Sequence, residues 1–401
     1  MAVVQEDEKG FALIFVLVFI ALIMSVVGGI VYQMQVNVHN SINEQDVLDA
    51  QSTAKTGMEF AKLLLNLNTL AVQYQNNPLI PLPKNLFTLV NGQPIGSSNL
   101  SDLKQATGLD LSKVIAPEIL RALKVVPGYF VLKITSENSK FNLNLLQSRS
   151  YQSAQKALLR IFSVQDSQDF LRYEGYTPQQ LVDNLSSYIK ISVTDGYLQA
   201  STQSFYDAIS AKYLPKHAAL ESLEELHRIP GFNVDDIYNM YSPYFTVWPI
   251  AGSLNTLNIN TAPTELLAPL LTPVGQDLQA NIWDKFDDYR VSSSFSASNM
   301  PPWLQNNVGG FSVDKDGADF LQNIFGTTDT IFRVESRGVV NGVEKTWVAI
   351  FQQSAANSST NTPPAAPTPP ATPTPPTTPT PPASSTSSNS SGFQIVYSEW
   401  L

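Results

Sequence analysis

The sequence predicts an α+β protein: one long N-terminal helix, an antiparallel sheet, and an all-α domain inserted among the strands. Three observations carry this. Phe11 to Tyr32 is an uncharged apolar run, and an amphipathic stripe continues from it to about Leu65. Two alternating runs, Ile331 to Val340 and Val343 to Ile350, flank Asn341-Gly342, the strongest short hairpin signal. Between residues 145 and 243 turn formers recede and helical periodicities take over.

The apolar run, GFALIFVLVFIALIMSVVGGIVY, occupies Gly10 to Tyr32, and Ser25 is its only hydroxyl residue before Tyr32. From Phe11 onward it makes a helix of roughly 33 Å, enough to cross a hydrocarbon core of about 30 Å. A helix is required there, because lipid offers exposed N–H and C=O groups no partner. Gly28 and Gly29 mark a soft point. Beyond the membrane, Met34, Val38 and Ile42 recur every four residues, followed by Ala50, Ala54, Met58, Ala61 and Leu65. A continuous helix from Phe11 to Leu65 is roughly 80 Å long.

The ten residues ahead of the run, MAVVQEDEKG, lack the basic start of a secretory signal peptide, and no small-x-small site closes the run. Flanking charge gives little help with orientation: Lys9 stands on one side and Glu44, Asp46 and Asp49 on the other. A bulky domain after a single span favours leader inside and domain outside.

Composition narrows the function classes. The chain has 401 residues, no Cys and a formal charge of -10. Disulfide staples and thiolate chemistry are excluded. The acidic balance disfavours binding to a phosphate backbone, so no nucleic-acid partner is expected.

After the long helix, residues 66 to 127 are rich in breakers, with a short helix at Ala116 to Leu123. Tyr129 to Ile134 and Phe141 to Asn144 read as two strands of a hairpin across Ser136 to Lys140. Helices are expected at Ser153–Phe162, Asp166–Tyr173, Pro178–Tyr188, Ser204–Lys212, Leu223–His227 and Val234–Tyr241. Strands return at Tyr244 to Trp248 and Leu257 to Asn260. Thr261 is the expected N-cap of a helix through Leu271. From Ser354 the composition collapses to Pro, Thr, Ser and Ala, a linker that cannot bury enough apolar surface to fold. It leads to Phe393 to Leu401, which reads either as a docking peptide on a tether or as a leftover end.

Several pieces resemble one family. The Lys9-Gly10-Phe11 junction ahead of the apolar run resembles a type IV pilin or pseudopilin leader. The strand Phe141-Asn142-Leu143-Asn144, the turn Glu225-Leu226 to Ile229-Pro230-Gly231, Tyr241-x-Pro243-Tyr244-x-Thr246-Val247 and Leu257-Asn258-Ile259-Asn260-Thr261-Ala262-Pro263 follow in order. Together they resemble the type II secretion minor pseudopilin K family over residues 9 to 352. The resemblance implies a pilin-like fold, with the long helix packed on an antiparallel sheet. It implies a leader at 1–10, a helix at 11–65 with its membrane half at 11–32, an αβ domain from 66–144 and 244–353, and the helical insert at 145–243. The linker (354–392) and tail (393–401) lie outside the pattern. It also implies that prepilin peptidase cuts between Gly10 and Phe11 and that Phe11 is N-methylated. Shaft-building pilins carry Glu at the fifth mature position; here that position is Phe15. The implied setting is a bacterial inner membrane, with the C-terminal domain in the periplasm. The implied partners are minor pseudopilins I and J and the major pseudopilin, at the tip of a pseudopilus that exports folded proteins.

The family's acidic, calcium-linked run is not visible: Ser187-Tyr188-Ile189-Lys190-Ile191 holds its place, and Asp195 is the nearest acid after it. Residues 223 to 232 resemble a helix-hairpin-helix, but its second Gly is missing and Glu224, Glu225, Asp235 and Asp236 would repel phosphate. His217, Glu221 and Glu224 could line one helix face as zinc ligands do, with His227 beyond, although Leu220 and Leu223 mark an ordinary amphipathic helix. No catalytic, cofactor-binding or metal-binding residues are expected. An uncleaved, membrane-anchored extracytoplasmic binding protein and a minor pilin of a type IV pilus stay open beside the tip subunit.

Overall fold

The computed structural model describes residues 7–73, 86–96, 121, 123–190, 206, 214–250, 257–272, 281–308, 315–354 and 392–401. The chain opens with α1 (Asp7–Gln73), unbroken through Gly28-Gly29 and about 100 Å long. Next come α2 (Leu86–Val90), β1 (Pro94–Gly96), β2 (Tyr129–Ser136) and β3 (Phe141–Asn142). A helical stretch follows: α3 (Tyr151–Phe162), α4 (Gln165–Tyr173), α5 (Pro178–Ile189) and α6 (Asp235–Tyr241). Then come β4 (Phe245–Thr246), β5 (Leu257–Asn258), α7 (Thr264–Leu271), α8 (Asn281–Ser292), α9 (Met300–Asn307), α10 (Lys315–Ile324) and β6 (Phe325–Gly326). The end of the chain supplies β7 (Ile331–Val340), β8 (Val343–Gln353) and β9 (Phe393–Trp400). All but Tyr206 of the expected helix Ser204–Lys212, all but two residues of Ala116–Leu123, and residues 355–391 of the expected linker lie outside the described residues.

Five strands form one sheet in the order β1-β2-β7-β8-β9. β1 runs antiparallel to β2, with Ile95 opposite Phe130. β7 and β8 join through Asn341 and Gly342, at φ 48° and 86°. Two successive positive φ values are the type I′ turn that matches strand twist, and Gly at the second position adopts it without a Cβ penalty.

The chain divides into two compact units. The first is residues 1–134, 334–349 and 398–401. Here α1 docks on strands through small residues. Ala50, Ala54, Met58 and Ala61 are fully buried, as the stripe predicts. A Cβ on Gly57 would collide with the Ser336 hydroxyl, and one on Gly338 with the Ala50 carbonyl. Thr53 Oγ1 donates to Pro127 O at 2.9 Å, and Ser336 Oγ donates to Ala54 O at 2.8 Å. Phe60 and Phe130 pack with ring centres 5.8 Å apart.

The second unit is residues 135–333 and 350–397. One core runs through it from Phe141 to Phe325. The expected helical insert 145–243 lies inside this unit and shares that core with residues 257–325; Arg160 Nη1, for example, donates to Leu270 O at 2.7 Å. Burial holds the Arg160 pKa below its ordinary value.

The expected hairpin of Tyr129–Ile134 with Phe141–Asn144 does not form. β3 is two residues long and pairs in parallel with β4, Phe141 opposite Phe245. β5 and β6 pair the same way, Leu257 opposite Phe325. The physical reason is side-chain capping. Ser136 Oγ accepts from Asn138 N and starts a 3₁₀ turn at Glu137–Ser139. Asn138 Oδ1 then accepts from Thr330 N and Ile331 N at 2.8 and 2.9 Å, which directs this segment to the start of β7.

Candidate functional site

The apolar half of α1 is the first candidate. Every side chain from Leu13 to Gln45 is exposed, and burial begins only near Ala50. A surface of Leu, Ile, Val and Phe this extensive is unstable in water and calls for lipid or other helices. α1 is long and apolar enough to cross a membrane. Phe15 lies in this half and is 64 % exposed. Gly10 and Phe11 fall within α1, and the Phe11 side chain lies outside the described residues.

The second candidate is the helical region of the second unit. Its turn at 222–234 is built from local caps. Ser222 and Glu225 form a capping box around the 3₁₀ turn Leu223–Arg228. Glu225 Oε1 also accepts from Lys216 Nζ at 3.0 Å. Burial disfavours the Lys216 charge, but Glu225 and Glu221 outweigh it and raise its pKa. At Gly231 φ is +93°, and a Cβ would strike Leu181. Its N–H donates to Asn233 Oδ1 at 2.9 Å, and Asn233 N donates to Ile229 O. These amides are therefore already taken, and the turn offers no cradle for phosphate. Asn184 Nδ2 donates to Pro230 O at 3.0 Å and ties the turn to α5.

The zinc reading loses its geometry. Residues 214–217 are not helical, and His217 sits at φ 48° with Nδ1 3.1 Å from Lys190 O. Glu221 pairs with Lys216, and Glu224 accepts from Tyr238 Oη at 3.2 Å. Burial, then the Glu224 charge, raises the Tyr238 pKa. Among the described residues no three His, Asp or Glu side chains gather to hold a metal. In the segment Ser187–Lys190, Tyr188 Oη stands 3.5 Å from Glu225 Oε2, and Asp195 lies outside the described residues.

The segments Phe141–Asn144 and Leu257–Asn260 share one device that sequence reading missed. Asn144 Oδ1 accepts from Leu220 N at 2.7 Å while its Nδ2 donates to Leu220 O at 2.9 Å. Asn260 clamps Phe295 identically, at 2.7 and 3.0 Å. In both cases the Asn two residues earlier, Asn142 or Asn258, accepts from the backbone N of the clamping residue. A side-chain amide carries both a donor and an acceptor, so one Asn can copy a strand pair with a single residue. The apolar-Asn-apolar-Asn repeat was the available signal.

Asp329 was also missed. Its Oδ1 accepts from Ser136 Oγ, Asn258 Nδ2 and Thr261 Oγ1 at 2.6, 2.8 and 3.0 Å. Part of the residue reaches solvent, but burial of the carboxyl end raises its pKa above 3.8, with the three donors opposing. Thr261 is thereby used as a donor. The N-cap of α7 is Pro263, which corrects the expected Thr261 cap.

Residues 139–250 match the profile of the family described as "Type II secretion system (T2SS), protein K". A chain in the crystal structure of the GspK-GspI-GspJ complex from the enterotoxigenic Escherichia coli type 2 secretion system matches at 15 % identity. The match covers 69 % of this chain and 80 % of that one, with a TM-score of 0.44. No curated protein sequence matches. Over residues 139–250, the chain carries a domain of the type II secretion protein K family.

Proposed function

We propose that this chain is a minor pseudopilin at the tip of a type II secretion pseudopilus, starting or capping its assembly with minor pseudopilins I and J above the major pseudopilin. The carrying observation is the protein K domain at 139–250 behind a helix that is exposed from Leu13 to Gln45. In this reading α1 anchors the chain in the inner membrane, the rest stands in the periplasm, and the pseudopilus helps export folded proteins. Prepilin peptidase cuts between Gly10 and Phe11, and Phe11 becomes the methylated terminus. Phe15 supports the tip position. A carboxylate at lipid depth is costly unless it meets the N-terminal amine of a neighbour; a subunit with none ahead has no use for that acid. The role is structural rather than catalytic.

The test is the N-terminal mass of the chain from membranes of cells with and without prepilin peptidase. A start at N-methyl-Phe11 that disappears without the peptidase is expected. An intact Met1 in both strains would sink this reading and leave an uncleaved, anchored binding protein.

A further inference from the structure

The C-terminal peptide is not a loose end. Phe393–Trp400 is the edge strand β9, next to β8. Ser354 N donates to Gly392 O at 3.0 Å, and Leu401 N donates to Thr346 O at 3.0 Å, so the two strands run antiparallel. Side chains read out the pairing at each end. In the second unit Phe393 is buried with its ring 5.5 Å from Phe332, and Tyr397 lies 5.5 Å from Trp248. In the first unit Trp400 stacks on Trp347, ring centres 5.4 Å apart and planes at 15°, with Lys55 Nζ over the Trp400 ring at 5.9 Å. Residues 393 and 397 share one face of a strand and 400 the other, so both faces take part in recognition.

Two features argue that this strand is a ligand rather than a fixed part of the sheet. Residues 355–391 separate Ser354 from Gly392, although these two are hydrogen-bonded neighbours and a hairpin needs only about two residues. The strand is also thinly held. Phe393 is its only buried residue, while Ile395, Val396, Tyr397 and Trp400 each stay about 40 % exposed. Segments with few buried contacts open at low cost. A covalent tether compensates by keeping the local concentration in the millimolar range.

We infer that the outer edge of β8 is a strand-docking surface for a C-terminal peptide with aromatic side chains at its first, fifth and eighth positions, and that the chain's own Phe393–Leu401 is an exchangeable occupant. Backbone pairing along β8 supplies affinity, and the Phe332, Trp248 and Trp347 contacts supply selectivity.

The full-length chain in detergent, with a protease site placed within 355–391, tests this. The tether is cut, the protein is gel-filtered, and a fluorescent peptide of sequence 393–401 is added. Saturable one-to-one uptake of the fluorescent peptide is expected, either onto an edge emptied by filtration or by displacing a retained tail, and a retained tail that excess peptide does not displace overturns the proposal. Replacing Phe393, Tyr397 and Trp400 by Ala in the peptide should weaken uptake at least about tenfold. Trp347→Ala in the protein should do likewise with helix content unchanged. Loss of the tail without re-uptake, or equal uptake of the Ala peptide, overturns the proposal.

Discussion

Asn144 shows how much one buried amide decides. It is 1 % exposed and satisfies three backbone groups: Leu220 N, Leu220 O and Val247 O. Asn144→Asp keeps the size but turns the donor into an anion facing two carbonyls. Urea unfolding should show a loss of about 3 kcal/mol at neutral pH, and a loss under 1 kcal/mol would refute the clamp. Asp329 behaves oppositely. Its folded pKa is raised, so between 3.8 and that higher value the folded state holds more protons than the unfolded one. Its contribution to stability therefore falls as pH rises through that window and recovers on acidification into it. Asp329→Asn removes the titration. Comparing urea midpoints against pH, the wild type should lose stability relative to Asp329→Asn as pH rises through the window; parallel curves would contradict this.

At the scale of elements, the contact of α1 with β7 depends on missing side chains. Gly338 places no Cβ against the Ala50 carbonyl, and a backbone oxygen cannot rotate away. Gly338→Val should cost about 3 kcal/mol by overpacking, read as a lower thermal midpoint and proteolysis within Ala50–Leu65. Gly338→Ser should fall between the two, and an unchanged midpoint for Val would mean the helix has slack. The Asn341-Gly342 turn acts through backbone conformation instead. Gly342 has nothing within 4 Å of a built Cβ, yet its φ of +86° still disfavours any L side chain.

For the whole molecule, the anchor is the element with a physiological consequence. If α1 anchors the chain as proposed, Phe15→Glu places a carboxylate in lipid, at about 3 kcal/mol. Under the tip reading no subunit ahead offers it an amine, so the membrane-retained fraction and secretion should both fall, while Phe15→Leu changes neither. Unchanged secretion with Phe15→Glu would argue that the chain does pair with a subunit ahead. The expected helical insert and the region after it share one core, because Leu158 and Phe162 of α3 pack in the same cluster as Leu266, Leu270 and Phe320.

What could be read from residue order was whatever short-range physics settles. The uncharged run to Tyr32, the stripe Ala50-Ala54-Met58-Ala61, the Asn341-Gly342 hairpin turn and the start of α5 depend on periodicity and on φ preferences within a few residues. The ordered fragments also carried the protein K resemblance that the match over 139–250 supports. The folded chain alone chose partners across long sequence separations. β3 pairs with β4 instead of β2, Thr261 serves Asp329 instead of a helix terminus, and Phe393–Trp400 lies against β8. A hydroxyl, an amide or a strand edge has many acceptable partners, and no local pattern names one. Which is taken depends on what the close-packed core brings within about 3 Å.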